Sequence, residues 1–276
     1  MSKAKNLSSV GRSSRTPVKH YLLNAMLGKV CGVMALDRPG VPCRITNSQP
    51  MIMVDLCGGD GLKTDGQDAS PVIMYHHCAE LAKRGKRSSL EVLEHHANTF
   101  EQLEANCAYM SRDIVTLTYG DSANYRLPKL AETQPAFVHC DPNNVDQTPL
   151  SRPFVAGFNR YTTYLVTMGC NPGGLKRTSL EKRSVWFDYV KMVVDVLPSH
   201  HDLVLFWLNR DEAKWAYLLS IPKVWSEKFT MQAVKYTSTQ WTKGVSALSF
   251  RTERRLFEDQ VIQLFLTESE YENRNN

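Results

Sequence analysis

The stretch MIMVDLCGGDG, Met51 to Gly61, decides the reading of this chain. Its first six residues are apolar except Asp55, and they run directly into Gly58, Gly59 and Gly61. A short apolar run that stops at glycines reads as a buried strand followed by a tight turn. Three glycines in four positions also let backbone approach a ligand closely. A carboxylate, Asp55, opens the turn. This differs from the dinucleotide fingerprint GxGxxG, which has no leading acid within the strand.

Working outward, the segment after Pro17 has apolar residues at Leu22, Leu23, Met26, Leu27 and Val30, which is helical spacing. Ser70-Pro71 reads as a capped helix start, with the helix running to about Gly85. Strands are predicted at 88–93, 114–118, 136–140 and 164–168, with a helix at 98–110 between the first two. A helix at 186–197, strands at 203–208 and 215–221, and a helix-strand pair within 253–267 complete the pattern. Strands alternating with helices predict an α/β domain with a mostly parallel central sheet. In such sheets ligands bind beyond the carboxyl ends of the strands.

Each of the first four strands is followed by an acid. After Asp55 comes Glu94, placed to accept hydrogen bonds from a ribose diol. It lies 33 residues beyond Gly61, against about 20 in a typical nucleotide unit, so the loop 62–70 reads as an insertion. Glu91 is the competing acid, within the strand. Asp121-Ser122 follows the third strand, and Asp141-Pro142-Asn143-Asn144 follows the fourth. Asn171-Pro172 trails the fifth strand and precedes the basic residues Lys176, Arg177, Lys182 and Arg183. A second basic run is Lys83, Arg84, Lys86 and Arg87. Such runs read first as solvated helix ends, and as phosphate contacts where they border a cleft.

The acid-then-glycine turn resembles the first motif of S-adenosylmethionine-dependent methyltransferases. The wider order of features resembles the three-Cys-motif partner proteins, a methyltransferase-like group of bacteria and their mobile elements. The matching positions are Lys19 with its helix, Asp55 to Gly61, Asp65-Gly66, Ser70-Pro71, Glu94 and Asp141-Pro142, over roughly residues 17 to 170. The resemblance implies a Rossmann-like methyltransferase fold, with the central sheet flanked by helices, and S-adenosylmethionine as cofactor. It implies that Asp55, Cys57, Gly59 and Gly61 hold the cofactor's amino acid part. Glu94 would then hold the ribose, and Asp121 and Ser122 the adenine. Asp141, Pro142, Asn143 and Asn144 would orient the acceptor amine. Two positions depart from the pattern. Asn143-Asn144 stands where an aromatic pair is expected, which weakens stacking of a flipped base. Asp60 sits within the glycine turn, where its charge opposes a ligand carboxylate unless it points outward.

Composition sets the remaining limits. The 276 residues are 42% hydrophobic and 22% charged, a globular balance. The longest apolar run is Leu203 to Leu208, far short of the about 20 residues that span a bilayer. The first twenty residues lack the apolar core of a secretory signal. They carry Lys3, Lys5, Arg12, Arg15 and Lys19 and no acid, and the other 256 residues hold 28 basic and 28 acidic groups. The net charge of +5 therefore resides in residues 1–20. A flexible basic arm over 1–16 and one domain over 17–276 are expected, with 200–276 as a family-specific extension. Seven cysteines without a CxxC pair predict reduced thiols in a cytoplasmic protein, not a disulfide framework or zinc site. The histidine pairs 76–77, 95–96 and 200–201 read as surface or packing residues.

Three functions compete. The first is methyl transfer from S-adenosylmethionine to a nucleic acid, at the amino group of a base. The second is an inactive module of the same fold that binds nucleic acid or a protein partner. The third is a metal-dependent hydrolase built on Asp55, Glu94 and Asp141, which leaves the glycine turn unexplained.

Overall fold

A computed structural model describes residues 16–35, 45–62, 68–142, 157–168, 195, 200–208, 216–223 and 245–250. Within them lie helices α1 (Thr16–Met34), α2 (Ser70–Lys83) and α3 (Ala97–Asn106). The strands are β1 (Met51–Asp55), β2 (Ser88–Glu94), β3 (Val115–Tyr119), β4 (Ala136–Cys140), β5 (Thr162–Met168), β6 (His201–Leu208), β7 (Ala216–Pro222) and β8 (Val245–Phe250).

All eight strands join one sheet in the order β3-β2-β1-β4-β5-β7-β6-β8. The five from β3 to β5 pair in parallel. Strand β7 runs antiparallel between β5 and β6, and β8 closes the edge antiparallel to β6. The order 3-2-1-4-5 is that of the doubly wound nucleotide folds, and the inserted β7 departs from it. Parallel pairing carries Asp55, Glu94 and Asp141 to the same edge of the sheet, as the sequence requires.

The core follows from the apolar spacing. Leu22, Leu23, Met26, Leu27 and Val30 are all buried, and Cys31 extends the stripe to touch Met51. Cys78 of α2 touches Met53 in the same way, so both helices cover the face bearing Met51, Met53 and Asp55. His77 of α2 and Asn24 of α1 share a hydrogen bond of 2.8 Å between the two helices. His201 packs beneath Ser220 and the Asn159 carbonyl, at 2.9 and 3.2 Å.

Three expectations change. Ser70 does not cap α2: the cap position is Ala69, and Ser70-Pro71 form the buried first turn. Helix α3 ends at Asn106, short of Met110. Strands β6 and β7, both predicted as strands, join the central sheet and bury Val204, Tyr217, Leu219 and Ile221. Strand β8 was not expected, because VSALSF carries only a weak alternation. The predicted 186–197 helix, apart from Asp195, and the 253–267 pair lie outside the described residues. So do Asp65-Gly66, Asn143-Asn144, Asn171-Pro172 and the basic run 176–183.

Candidate functional site

The turn after β1 is shaped by its glycines. Gly59 and Gly61 adopt φ of 60° and 71°, the left-handed region that glycine enters without penalty. A Cβ added at Gly59 would meet no atom within 4 Å, so the backbone there faces open space. At Gly61 the same atom would press within 2.8 Å of the Cys107 sulfur, which seats the turn on α3.

Glu94, the last residue of β2, reaches across to this turn. It is 6% exposed. Its Oε2 accepts the Gly59 N–H at 3.0 Å, and its Oε1 accepts the N–H groups of His95 and His96, both at 2.9 Å. Glu94 therefore ends β2 and also fixes the glycine turn. Glu91 is engaged elsewhere: Tyr125 and Thr118 donate to its carboxylate at 2.7 and 3.1 Å.

Asp60 is buried, not turned outward. Its Oδ1 accepts the Leu62 N–H at 3.0 Å, and its carbonyl accepts the Asn106 side chain at 2.8 Å. Asp121 caps the short 3-10 turn Ser122–Asn124. Its two oxygens accept the Ala123 N–H at 2.9 Å and the Asn124 amide at 3.1 Å. Ser122 is buried beneath it.

Beside the turn sits a polar cluster that sequence reasoning did not assemble. Asp55 is fully buried, and its Oδ1 lies 3.0 Å from His139 Nδ1 and 3.4 Å from the Cys57 N–H. Its Oδ2 has no hydrogen-bond partner among the described residues. Asp141 follows β4, and both its oxygens accept from Lys19 Nζ, at 3.0 and 3.1 Å. Burial opposes the charge on Asp141, yet the Lys19 ammonium and then His139 hold its carboxyl below the ordinary range. His20 is next along α1. Burial, only partly offset by Asp141, lowers its pKa to about 4, so the ring is neutral near pH 7. Its Nδ1 is buried without a partner among the described residues. Tyr217 of β7 donates to the Lys19 carbonyl at 3.0 Å and ties α1 over the strand ends.

Cys57 and Cys140 lie with sulfurs 3.8 Å apart. The neighbouring Cys140 thiol, and then burial, push the Cys57 thiol well above its ordinary pKa, so it is no ready nucleophile. Among the described residues, no group of three His, Cys, Asp or Glu side chains is placed to hold a metal ion. The run Lys83 to Arg87 lies between α2 and β2, at the opposite edge of the sheet, and is solvated. No described helix is long and apolar enough to cross a membrane.

Comparison with solved structures agrees with this topology. A protein from Legionella pneumophila matches with a TM-score of 0.55 at 12% identity, over 91% of this chain and 98% of its own. An rRNA methylase from Streptococcus thermophilus matches at 0.43 and 11% identity, over 76% of this chain and 99% of its own. A protein from Streptococcus mutans, described as a methyltransferase and solved in complex with SAH, matches at 0.42 and 11%, with the same coverage. With the sheet order, the Legionella match shows a Rossmann-like fold. No family model matches the chain, and no curated protein is significantly similar to it in sequence. Within this fold, the glycine turn and the acids Asp55, Glu94 and Asp141 at the ends of β1, β2 and β4 share the carboxyl edge.

His139, Lys19 and His20 are the residues that sequence reasoning left out of the site. A faint indication of each existed. His139 is the one strongly polar residue in the buried strand AFVHC, and Lys19-His20 interrupt the apolar run of α1.

Proposed function

We propose that the protein is an S-adenosylmethionine-dependent methyltransferase that acts on nucleic acid, at the amino group of a base. The observation that carries this reading is the turn itself. Gly59 opens onto free space while Glu94, the acid after β2, grips its amide. Apart from Asp60, whose buried charge opposes the ligand carboxylate, the residues fit the cofactor. The open backbone leaves room for its amino acid part, the orphaned Asp55 oxygen suits its ammonium, and Glu94 lies where its ribose hydroxyls would be. Bound there, the cofactor supplies an electrophilic methyl group. Alignment, more than acid-base chemistry, provides the rate in such transfers. Asp141 and Pro142 follow β4 at the same edge, where Asp141 would orient the acceptor amine. The likeness to three-Cys-motif partner proteins belongs to the same reading, as does a cytoplasmic location.

One observation favours the inactive binding module. Both oxygens of Asp141 are held by Lys19, so an amine must share them with an ammonium. The test is calorimetric titration with S-adenosylmethionine, then transfer of labelled methyl groups into mixed DNA and RNA. Active enzyme predicts binding and labelling, with Asp141→Ala about a hundredfold slower at nearly unchanged cofactor affinity. Binding without labelling of either polymer overturns the nucleic acid acceptor. Absence of both supports the module.

A further inference from the structure

His139 has no part in the reading above, yet it is bonded to a residue that has. It lies opposite Asp55 in the parallel register of β1 and β4, so both side chains stand on one face of the sheet. Their strand neighbours in that row are Val92 and Leu165, both buried and apolar. Neither His139 nor Asp55 reaches bulk water, at 3% and 0% exposure. A buried carboxylate is costly unless its oxygens are paired. Asp55 is paired at one oxygen only.

The two oxygens of an aspartate are chemically equivalent, and the torsion that exchanges them is soft. The Cys57 N–H, at 3.4 Å, is a weak anchor against that rotation. The His139 Nδ1 contact at 3.0 Å is the firm one. We propose that His139 is a positioning residue: it holds Oδ1 of Asp55 and thereby presents Oδ2 to the amino group of the bound cofactor. The proposal rests on the reading of Asp55 as the holder of the cofactor's amino acid part. The orphaned oxygen is then the half of the carboxylate that the ligand completes.

The consequence is selective for one part of the ligand. S-adenosylhomocysteine carries the amino group, whereas 5′-methylthioadenosine keeps the nucleoside and lacks the amino acid part. Titrating both into wild type, His139→Leu, His139→Gln and His139→Asn separates positioning from mere support. Leu has no donor, and Gln carries its amide one bond too far. Both should weaken S-adenosylhomocysteine at least about tenfold and change methylthioadenosine by no more than about twofold. Asn places an N–H near the Nδ1 position and should recover S-adenosylhomocysteine to within about threefold. If His139→Leu fails to fold, the contrast between Gln and Asn decides alone. Equal losses for both ligands, or no loss in Gln, would overturn the proposal while leaving the cofactor reading in place. A wild type that binds neither ligand would overturn the cofactor reading and this proposal with it.

Discussion

Adjacent glycines in the turn after β1 do different work. At Gly58 a Cβ would stand 2.4 Å from a Val92 methyl and 3.3 Å from the Leu93 carbonyl, so the side chain is excluded by packing against β2. At Gly59 space is free and the constraint is a φ of 60°. Gly58→Ala should cost about 1–3 kcal/mol through overpacking, read as a lower melting temperature. Gly59→Ala should cost about 1–2 kcal/mol through backbone strain. The two separate in titration with S-adenosylhomocysteine. Only the Gly59 methyl projects into the open space, so Gly59→Ala should lose affinity out of proportion to its stability. Equal affinity in the two variants would place the ligand elsewhere. The sequence revealed that glycine was needed in this turn, but not for which reason. That depends on Val92 and Leu103, which reach the turn from β2 and α3.

Helix α1 supplies two polar residues to a largely apolar region, and one of them sets a pH dependence. The folded chain keeps His20 neutral until about pH 4, while an unfolded chain protonates it near its ordinary value of 6.5. Stability is therefore fully present above about pH 6.5 and falls as the pH drops toward 4. His77, also lowered by burial, acts in the same direction. His20→Gln should flatten the decline in melting temperature between pH 7 and pH 4.5, leaving the His77 share. An unchanged slope would show that His20 is not the group responsible. At this scale strands were legible wherever short, mostly apolar runs stood between turn formers, as in MIMVD and AFVHC. The partners of the polar residues were not. Lys19 meets Asp141 across 122 positions, and His139 meets Asp55 across 84. The parallel register of β1 and β4 joins His139 to Asp55, and the packing of α1 on the sheet joins Lys19 to Asp141; no local spacing encodes either.

For the whole molecule, most of the basic excess precedes the architecture. Lys3, Lys5, Arg12 and Arg15 stand before α1, which begins at Thr16, and Lys19 lies within it. Deleting residues 1–14 removes Lys3, Lys5 and Arg12 and leaves that helix whole. The melting temperature should hold, because the deleted segment is too polar to contribute to a core. If the segment contacts phosphates, affinity for duplex should fall, and the salt slope should drop by up to about 0.9 per lost contact. A truncation that melts much earlier would show that the segment packs on the sheet. The parallel pairing of β1 to β5 could be anticipated from alternating elements, but not their order. The placement of β7 between β5 and β6 could not, because it depends on which edge a hairpin joins.

The bond from Tyr217 to the Lys19 carbonyl joins residues 198 positions apart. A ribosome adds about 5–20 residues per second, so helix α1 emerges roughly ten to forty seconds before the tyrosine that ties it down. During synthesis Lys19 and His20 wait without their cover, and Asp141 appears before β7 does. The second fastening of α1, after the Lys19–Asp141 pair, comes only with the last third of the chain. A polypeptide released early, at residue 200 for example, would carry every motif legible in the first half and still lack the Tyr217 tie. The timing of translation thus makes a finished chain the condition for a finished site.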